Sequence, residues 1–216
     1  SNYIVIMNFT GYLPSGKIFD SSLLSDAPEK FTVGSTKVIK GVNQAVMLMS
    51  QGAKARFIIP AELAFGDKGY YTLIPPKTTL TYDIEIVEIK SPPKVEPFTS
   101  NLDTVTLPSG LQYIPVNQPN GDMPKEGGIV GIHYTGYFEH GKIFDSSVLH
   151  DEHIMFCIGE GHVVPGMEEA VKNMHVGQKC RVLVPWNLAY GEEGNLPIIN
   201  PKTNLIFDIE LLFIVK

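Results

Sequence analysis

Cysteine and histidine are scarce in this sequence and confined to one part of it. The 216 residues include only Cys157 and Cys180, and all six histidines lie at or beyond His133. No CxxC pair is present. The chain contains two similar halves, described below, and a disulfide framework would be expected in both of them, whereas the two cysteines lie in the second half only. We therefore expect two ordinary thiols in a reducing compartment, with the cytoplasm as the location and the nucleus as the alternative.

Long apolar runs and familiar catalytic motifs are also absent. No run approaches the roughly 20 residues of a membrane-spanning helix, and we find no signal-peptide pattern. The sequence contains no HExxH, P-loop or GxGxxG motif, and no motif that would activate a serine or cysteine. His150 and His153 flank two acidic residues, but no further ligands recur at a zinc-like spacing. We therefore prefer a solvated acidic loop to a metal site there, and expect no cofactor.

Basic charge is too low for a nucleic-acid-binding protein. The net charge is −6. Residues 1–90 hold nine basic and eight acidic residues, whereas residues 91–216 hold eight and fifteen. Binding to nucleic acid needs a basic surface. We expect neither nucleic acid nor a membrane as a partner.

The sequence does contain a long internal repeat. The heptad GKIFDSS occurs at 16–22 and again at 141–147, an offset of 125. Residues 4–90 align with 129–215 without a gap at roughly 40% identity, which is the signature of one fold built twice. The repeat predicts a first domain at 1–90 and a second at 101–216, joined by a proline-rich linker at 91–100.

Each copy predicts an α+β domain, in which four or five antiparallel strands cover one short helix. Strand-like runs occupy 3–9, 30–33, 55–59 and 80–89 in the first copy, and 155–158, 180–184 and 205–214 in the second. Helical spacing of apolar residues begins at Val42 and at Met167 and reaches Met49 and Met174. The second copy has an additional strand-like run at 110–116. The first copy has either lost this leading strand, or the sequence is a fragment of a longer protein.

The motifs within the repeat resemble those of the FKBP family, the immunophilin prolyl isomerases that bind rapamycin-type macrolides. In the second copy they are HYTG at 133–136, FDSS at 144–147, VVPGM at 163–167, AYG at 189–191, IINP at 198–201 and FDIELL at 207–212. The resemblance covers nearly all of both copies. It implies two FKBP-like domains, each an antiparallel sheet wrapped on one short helix.

The resemblance also implies a site in the second copy. It places aromatic and apolar side chains in the pocket walls, with the Tyr190 hydroxyl, the Val164 N–H and the Asp145 carboxylate at the rim. The implied catalytic set is Tyr134, Phe144, Asp145, Val163, Val164, Met167, Tyr190 and Phe207, and the implied substrate-binding set is Ile154, Ile198 and Ile199. Without the family, aromatic residues in this pattern are more typical of a hydrophobic core than of a binding site.

The first copy departs from this pattern. Phe9 and Phe65 replace two tyrosines, Val42 replaces Met167 at the position where the family carries an indole, and Glu29 replaces Ile154. The matching first-copy residues form a degenerate pocket: Phe9, Phe19, Asp20, Val38, Ile39, Val42, Phe65 and Tyr82.

The resemblance implies a prolyl isomerase acting on Xaa-Pro bonds of protein clients, and the differences between the copies predict an active second domain and a structural first domain. The alternative is a non-enzymatic chaperone or scaffold module that can bind macrolides. The expected partners are proline-containing clients, rapamycin-type macrolides and a chaperone that would bind through a domain outside this chain.

Overall fold

The computed structural model describes residues 3–25 and 27–215. The chain divides into two compact units, residues 1–92 and 93–216. Within the part of the chain that is described, no helix has the length and apolar composition needed to cross a membrane.

The first unit is built on a five-stranded antiparallel sheet. Its elements are β1 (Ile4–Tyr12), β2 (Ile18–Ser21), β3 (Glu29–Thr32), α1 (Lys40–Val46), β4 (Lys54–Ile59) and β5 (Leu80–Lys90). The order is β2-β1-β5-β4, and β3 pairs with the same strand as β2. In β5 buried and less buried residues alternate, as expected for a strand with one face on the core. This alternation turns Tyr82 inward.

The second unit repeats this arrangement with two additional strands. Its elements are β6 (Val105–Thr106), β7 (Gln112–Pro115), β8 (Ile129–Phe138), β9 (Ile143–Ser146), β10 (Ile154–Cys157), α2 (Pro165–Lys172), β11 (Lys179–Val184) and β12 (Leu205–Ile214). The order is β10-β8-β12-β11-β7-β6, with β9 also on β8. The leading strand predicted at 110–116 is thus present as β7, and it pairs with β11.

The predicted α+β class is confirmed, with one short helix packed on each sheet. Val42, Ala45 and Val46 belong to the hydrophobic core of the first unit, and Met167, Ala170 and Val171 to that of the second. Both helices are shorter than the apolar spacing predicts. In the second unit the N–H of Met174 donates to the carbonyl of Val171 at 3.0 Å, so a tighter turn after the helix still brings Met174 into the core.

The repeated heptad forms a strand that the sequence pattern did not predict. Residues 18–21 and 143–146 form β2 and β9, each paired with the long strand that precedes it. Their apolar residues do not alternate cleanly, so hairpin pairing rather than local pattern fixes them as strands.

The stretch predicted as a linker is partly bound to the second unit. The N–H of Phe98 donates to Oδ2 of Asp208 at 2.8 Å. Asp208 is buried and also accepts two hydrogen bonds of 2.7 Å from Arg181. The chain from Pro93 onward accordingly belongs to the second compact unit.

Candidate functional site

The aromatic floor of the second unit is assembled by the hairpin of β8 and β9. Gly136 lies opposite Asp145 in the hairpin and opposite Phe207 on β12. A Cβ atom on Gly136 would overlap Cζ of Phe144, so glycine lets the tip of that ring approach the backbone of β8 closely. The Phe144 ring meets Phe207 edge-on, with centroids 5.7 Å apart, and Tyr134 lies 6.4 Å from Phe207. Three residues of the implied catalytic set, Tyr134, Phe144 and Phe207, therefore lie together in the structure.

Polar groups lie at the edge of this floor. The Tyr134 hydroxyl donates to Oδ2 of Asp145 at 2.5 Å, and the N–H of Ser146 donates to Oδ1 at 2.8 Å. Burial and then the hydrogen bond to Asp145 raise the pKa of the Tyr134 phenol. Burial and then the charge of Asp145 raise the pKa of Tyr190, against a smaller opposite effect of Asn195. Two protonated phenols thus lie near one carboxylate.

The start of α2 supplies a hydrogen-bond donor. Val164 immediately precedes the helix, and its carbonyl accepts from the N–H of Met167 at 2.9 Å. In the described residues the Val164 N–H donates to no backbone or side-chain acceptor. The side chains of Val163 and Val164 are half-buried against the core.

The three residues predicted to bind substrate have different environments. Ile154 begins β10 and packs against the core while half-buried. Ile198 is 59% exposed, whereas Ile199 is 2% exposed and belongs to the core itself. Only Ile154 and Ile198 present surface that a ligand can contact.

The sequence did not single out His150 as part of the site. Its Nε2 lies 3.7 Å from Oδ1 of Asp145. In contrast, His133 is adjacent to Tyr134 but contacts Ser147 and His153, because successive side chains of a strand point to opposite faces. His150 lies in the acidic loop at 150–153. The described residues contain no group of three or more potential metal ligands.

The first unit places its eight matching residues around one cavity of about 610 Å³. These are Phe9, Phe19, Asp20, Val38, Ile39, Val42, Phe65 and Tyr82. The Tyr82 ring meets Phe19 edge-on at 5.7 Å and Phe9 at 5.8 Å. Since Tyr82 stands where the second unit has Phe207, this pocket has lost two rim hydroxyls but has one on its floor.

The sequence model of the FKBP-type peptidyl-prolyl cis-trans isomerases matches residues 1–87 and 121–212. The chain belongs to this family. The mouse peptidyl-prolyl cis-trans isomerase FKBP10 is 32% identical over 205 residues, which cover 95% of this chain and 33% of the relative. FK506-binding protein 4 of Dictyostelium discoideum is 43% identical over 127 residues, covering 59% of this chain and 32% of the relative. The chain therefore spans about one third of the length of these relatives.

Two solved structures are similar to part or all of this chain. A peptidyl-prolyl cis-trans isomerase of Pseudomonas syringae covers 52% of this chain, and the match covers 81% of that protein, at 33% identity and a TM-score of 0.48. The three FKBP domains of wheat FKBP73 cover all of this chain, and the match covers 88% of that protein, at 23% identity and a TM-score of 0.48.

Relative to the family pattern, both FKBP units lack the indole of the pocket floor. Met167 takes its place in the second unit and is buried. Val42 takes it in the first unit and also lines the cavity. Methionine is long and flexible enough to fill part of the space of an indole, whereas valine leaves it open. The first unit thus has the smaller side chain at this position.

Proposed function

We propose that the second unit catalyses cis–trans isomerisation of Xaa-Pro bonds in protein clients, and that the first unit does not catalyse and serves a structural role. Family membership supports the reaction class. The observation that carries the assignment to the second unit is the hydrogen bond from Tyr134 to Asp145 beside the rings of Phe144 and Phe207. The first unit has Phe9 in place of Tyr134 and cannot form this bond.

The chemistry requires no nucleophile. A prolyl amide resists rotation by about 18–20 kcal/mol because resonance gives its C–N bond partial double-bond character. Uncatalysed exchange takes tens of seconds or longer. Resonance separates charge across the planar amide, and the twisted transition state is less polar. An apolar aromatic floor that excludes water therefore favours the transition state over the ground state.

The polar groups of the site hold the peptide while its amide rotates. The Val164 N–H can donate to a client carbonyl, since the described residues contain no acceptor for it. The Tyr190 hydroxyl is a second donor at the rim and stays protonated because burial raises its pKa. Asp145, held by Tyr134 and by the N–H of Ser146, keeps a fixed orientation. These groups orient the client and transfer no proton.

We further propose that the same pocket binds rapamycin-type macrolides. Such a ligand would occupy the floor of Phe144 and Phe207 in place of the prolyl ring. The proposal rests on family membership together with the retained aromatic floor.

A matched pair of substitutions in the full chain tests where the activity lies. Phe144 and Phe19 occupy the same position of the repeated heptad, and both pack across a glycine. We expect Phe144→Leu to lower kcat/KM for a proline peptide by about fivefold or more, since it removes aromatic contacts. Phe19→Leu should leave kcat/KM unchanged.

The readout is a protease-coupled isomerisation assay, preceded by circular dichroism to verify folding. Equal losses in the two variants would contradict the assignment to the second unit. An inactive parent protein would favour the non-enzymatic scaffold instead.

A further inference from the structure

The cavity of the first unit is walled by five aromatic rings. Phe9, Phe19 and Tyr82 form one group, and Phe65 and Tyr70 form another with ring centroids 5.0 Å apart. Its volume of about 610 Å³ lies within the range of sites that bind small ligands. Four of the five rings have aromatic counterparts in the second unit. Tyr70 does not, because Asn195 holds its place there.

The carboxylate at this cavity is that of Asp20, and it lacks the partners that the equivalent Asp145 has in the second unit. In the second unit Asp145 accepts from Tyr134 and lies 3.7 Å from His150. The equivalent Asp20 lines the first cavity, and among residues 3–25 and 27–215 no hydrogen bond or ion pair reaches its side chain. Both partners are lost by substitution, since Phe9 and Ser25 stand where the second unit has Tyr134 and His150.

The other charged groups lining the cavity balance each other. Nζ of Lys37 lies 3.4 Å from Oε1 of Glu29, and both residues line the cavity with Asp20. One negative charge is therefore left over. Its influence reaches the floor, where burial and then the charge of Asp20 raise the pKa of Tyr82. The cavity thus combines aromatic faces with an unpaired anion.

We propose that this cavity is a binding site for a ligand that carries a positive charge beside an apolar ring, which in a peptide is a proline next to lysine. Aromatic faces attract cations within about 6 Å of the ring centroid, and the Asp20 carboxylate adds a direct ion pair. The apolar walls accept the pyrrolidine ring. This role is binding without catalysis, so it extends the function proposed for the second unit and does not depend on it.

Two peptides of equal length separate charge from size. Acetyl-Lys-Pro-amide and acetyl-norleucine-Pro-amide differ in the terminal ammonium group alone. Each is titrated into the full chain, and NMR signals of Phe9 and Tyr82 report the first unit while those of Tyr134 and Phe207 report the second. We expect the first unit to bind the lysine peptide about fivefold more tightly than the norleucine peptide, with a smaller difference at high salt.

Three variants test the source of the preference. Asp20→Asn keeps the shape and removes the charge, and should abolish the preference. Asp67→Asn removes one negative charge from the same unit at a side chain that is 85% exposed and outside the cavity, and should leave the preference intact. Phe9→Tyr supplies Asp20 with the hydroxyl that Asp145 has, and should reduce the preference even if Asp20→Asn fails to fold.

The results that would overturn the proposal are equal binding of the two peptides at the first unit, or no shift of the Phe9 and Tyr82 signals. Exchange of the same peptides between cis and trans is recorded in the same samples. Continued isomerisation without first-unit binding would remove this inference and leave the proposed catalysis standing. Binding to the first unit without isomerisation would support this inference and contradict the proposed catalysis.

Discussion

The Tyr134 hydroxyl donates to the carboxylate of Asp145, and this contact joins the two strands of the β8–β9 hairpin at the rim of the aromatic floor. The same hairpin in the first unit has the carboxylate, Asp20, without a hydroxyl at Phe9. In the second unit Asp145 is held by the Tyr134 hydroxyl and also lies near His150, whereas the first unit has Phe9 and Ser25 at these two positions. We attribute the functional difference that we propose for the two units largely to the Tyr134–Asp145 contact.

Removing the Tyr134 hydroxyl from the second unit should lower catalysis. We expect Tyr134→Phe to reduce kcat/KM for a proline peptide by about three- to tenfold, because a hydrogen bond to a charged group contributes about 1.5–3 kcal/mol and part of this is regained from water. The protease-coupled assay on the full chain measures the change. The reverse substitution Phe9→Tyr serves as the control and should leave kcat/KM unaltered. A Tyr134→Phe protein as active as the parent would show that the orientation of Asp145 is irrelevant to the rate.

Gly136 should be intolerant of even a methyl group. We expect Gly136→Ala to destabilise the second unit by about 1–3 kcal/mol, the usual cost of overpacking, because the added Cβ overlaps the Phe144 ring. Denaturant unfolding followed by circular dichroism gives the change in the unfolding free energy. The penalty should shrink in a Phe144→Leu background, since the overlapping ring atoms are then gone. An undiminished penalty in that background would place the strain elsewhere.

Catalysis by the second unit should be nearly flat between about pH 6 and 8, because the proposed mechanism transfers no proton. Burial raises the pKa of Tyr134 and Tyr190 above the ordinary phenol value near 10. Both phenols therefore remain protonated throughout that window. The measurement is kcat/KM for a proline peptide across the window.

The imidazole most able to impose a pH step is His150, because its protonation would place a positive charge 3.7 Å from Asp145. His133 bonds to Ser147, and His162 lies 3.6 Å from Glu160. The profile should be repeated with His150→Gln, and with His133→Gln and His162→Gln as controls. A tenfold step near pH 6.5 that disappears in one of these variants would replace the desolvation mechanism by acid–base catalysis.

An aromatic side chain at position 167 should strengthen macrolide binding by the second unit. Met167 stands where the family carries an indole, and aromatic contacts contribute roughly 0.5–1.5 kcal/mol beyond the area they bury. We expect Met167→Trp to tighten binding of rapamycin by about two- to tenfold in calorimetry. Val42→Trp, at the same position of the first unit, should not change binding at the second. Weaker binding by Met167→Trp would mean that the buried site has no room for the larger ring.

Much of the fold could be predicted from the sequence because the two copies of the repeat can be aligned with each other. The aligned copies predicted the two-domain α+β architecture, and together with the family motifs they predicted the eight residues that line the cavity of the first unit. They also identified the positions at which the pockets differ, such as Tyr134 against Phe9. The sequence also predicted one short helix in each copy, but it did not predict the tight turn that carries Met174 into the core.

The tertiary structure decided which of these residues meet. Adjacent His133 and Tyr134 look equally close to the site in the sequence, but strand alternation turns them to opposite faces, whereas a loop carries His150 to Asp145. Likewise, the sequence shows that Phe9 lacks a hydroxyl, yet only the packed hairpin reveals that no residue among 3–25 and 27–215 pairs with the Asp20 side chain, at a cavity walled by five aromatic rings. A pattern in the sequence determines which side chains are buried. Contacts between distant residues depend on strand register, side-chain direction and the path of loops, which the fold alone determines.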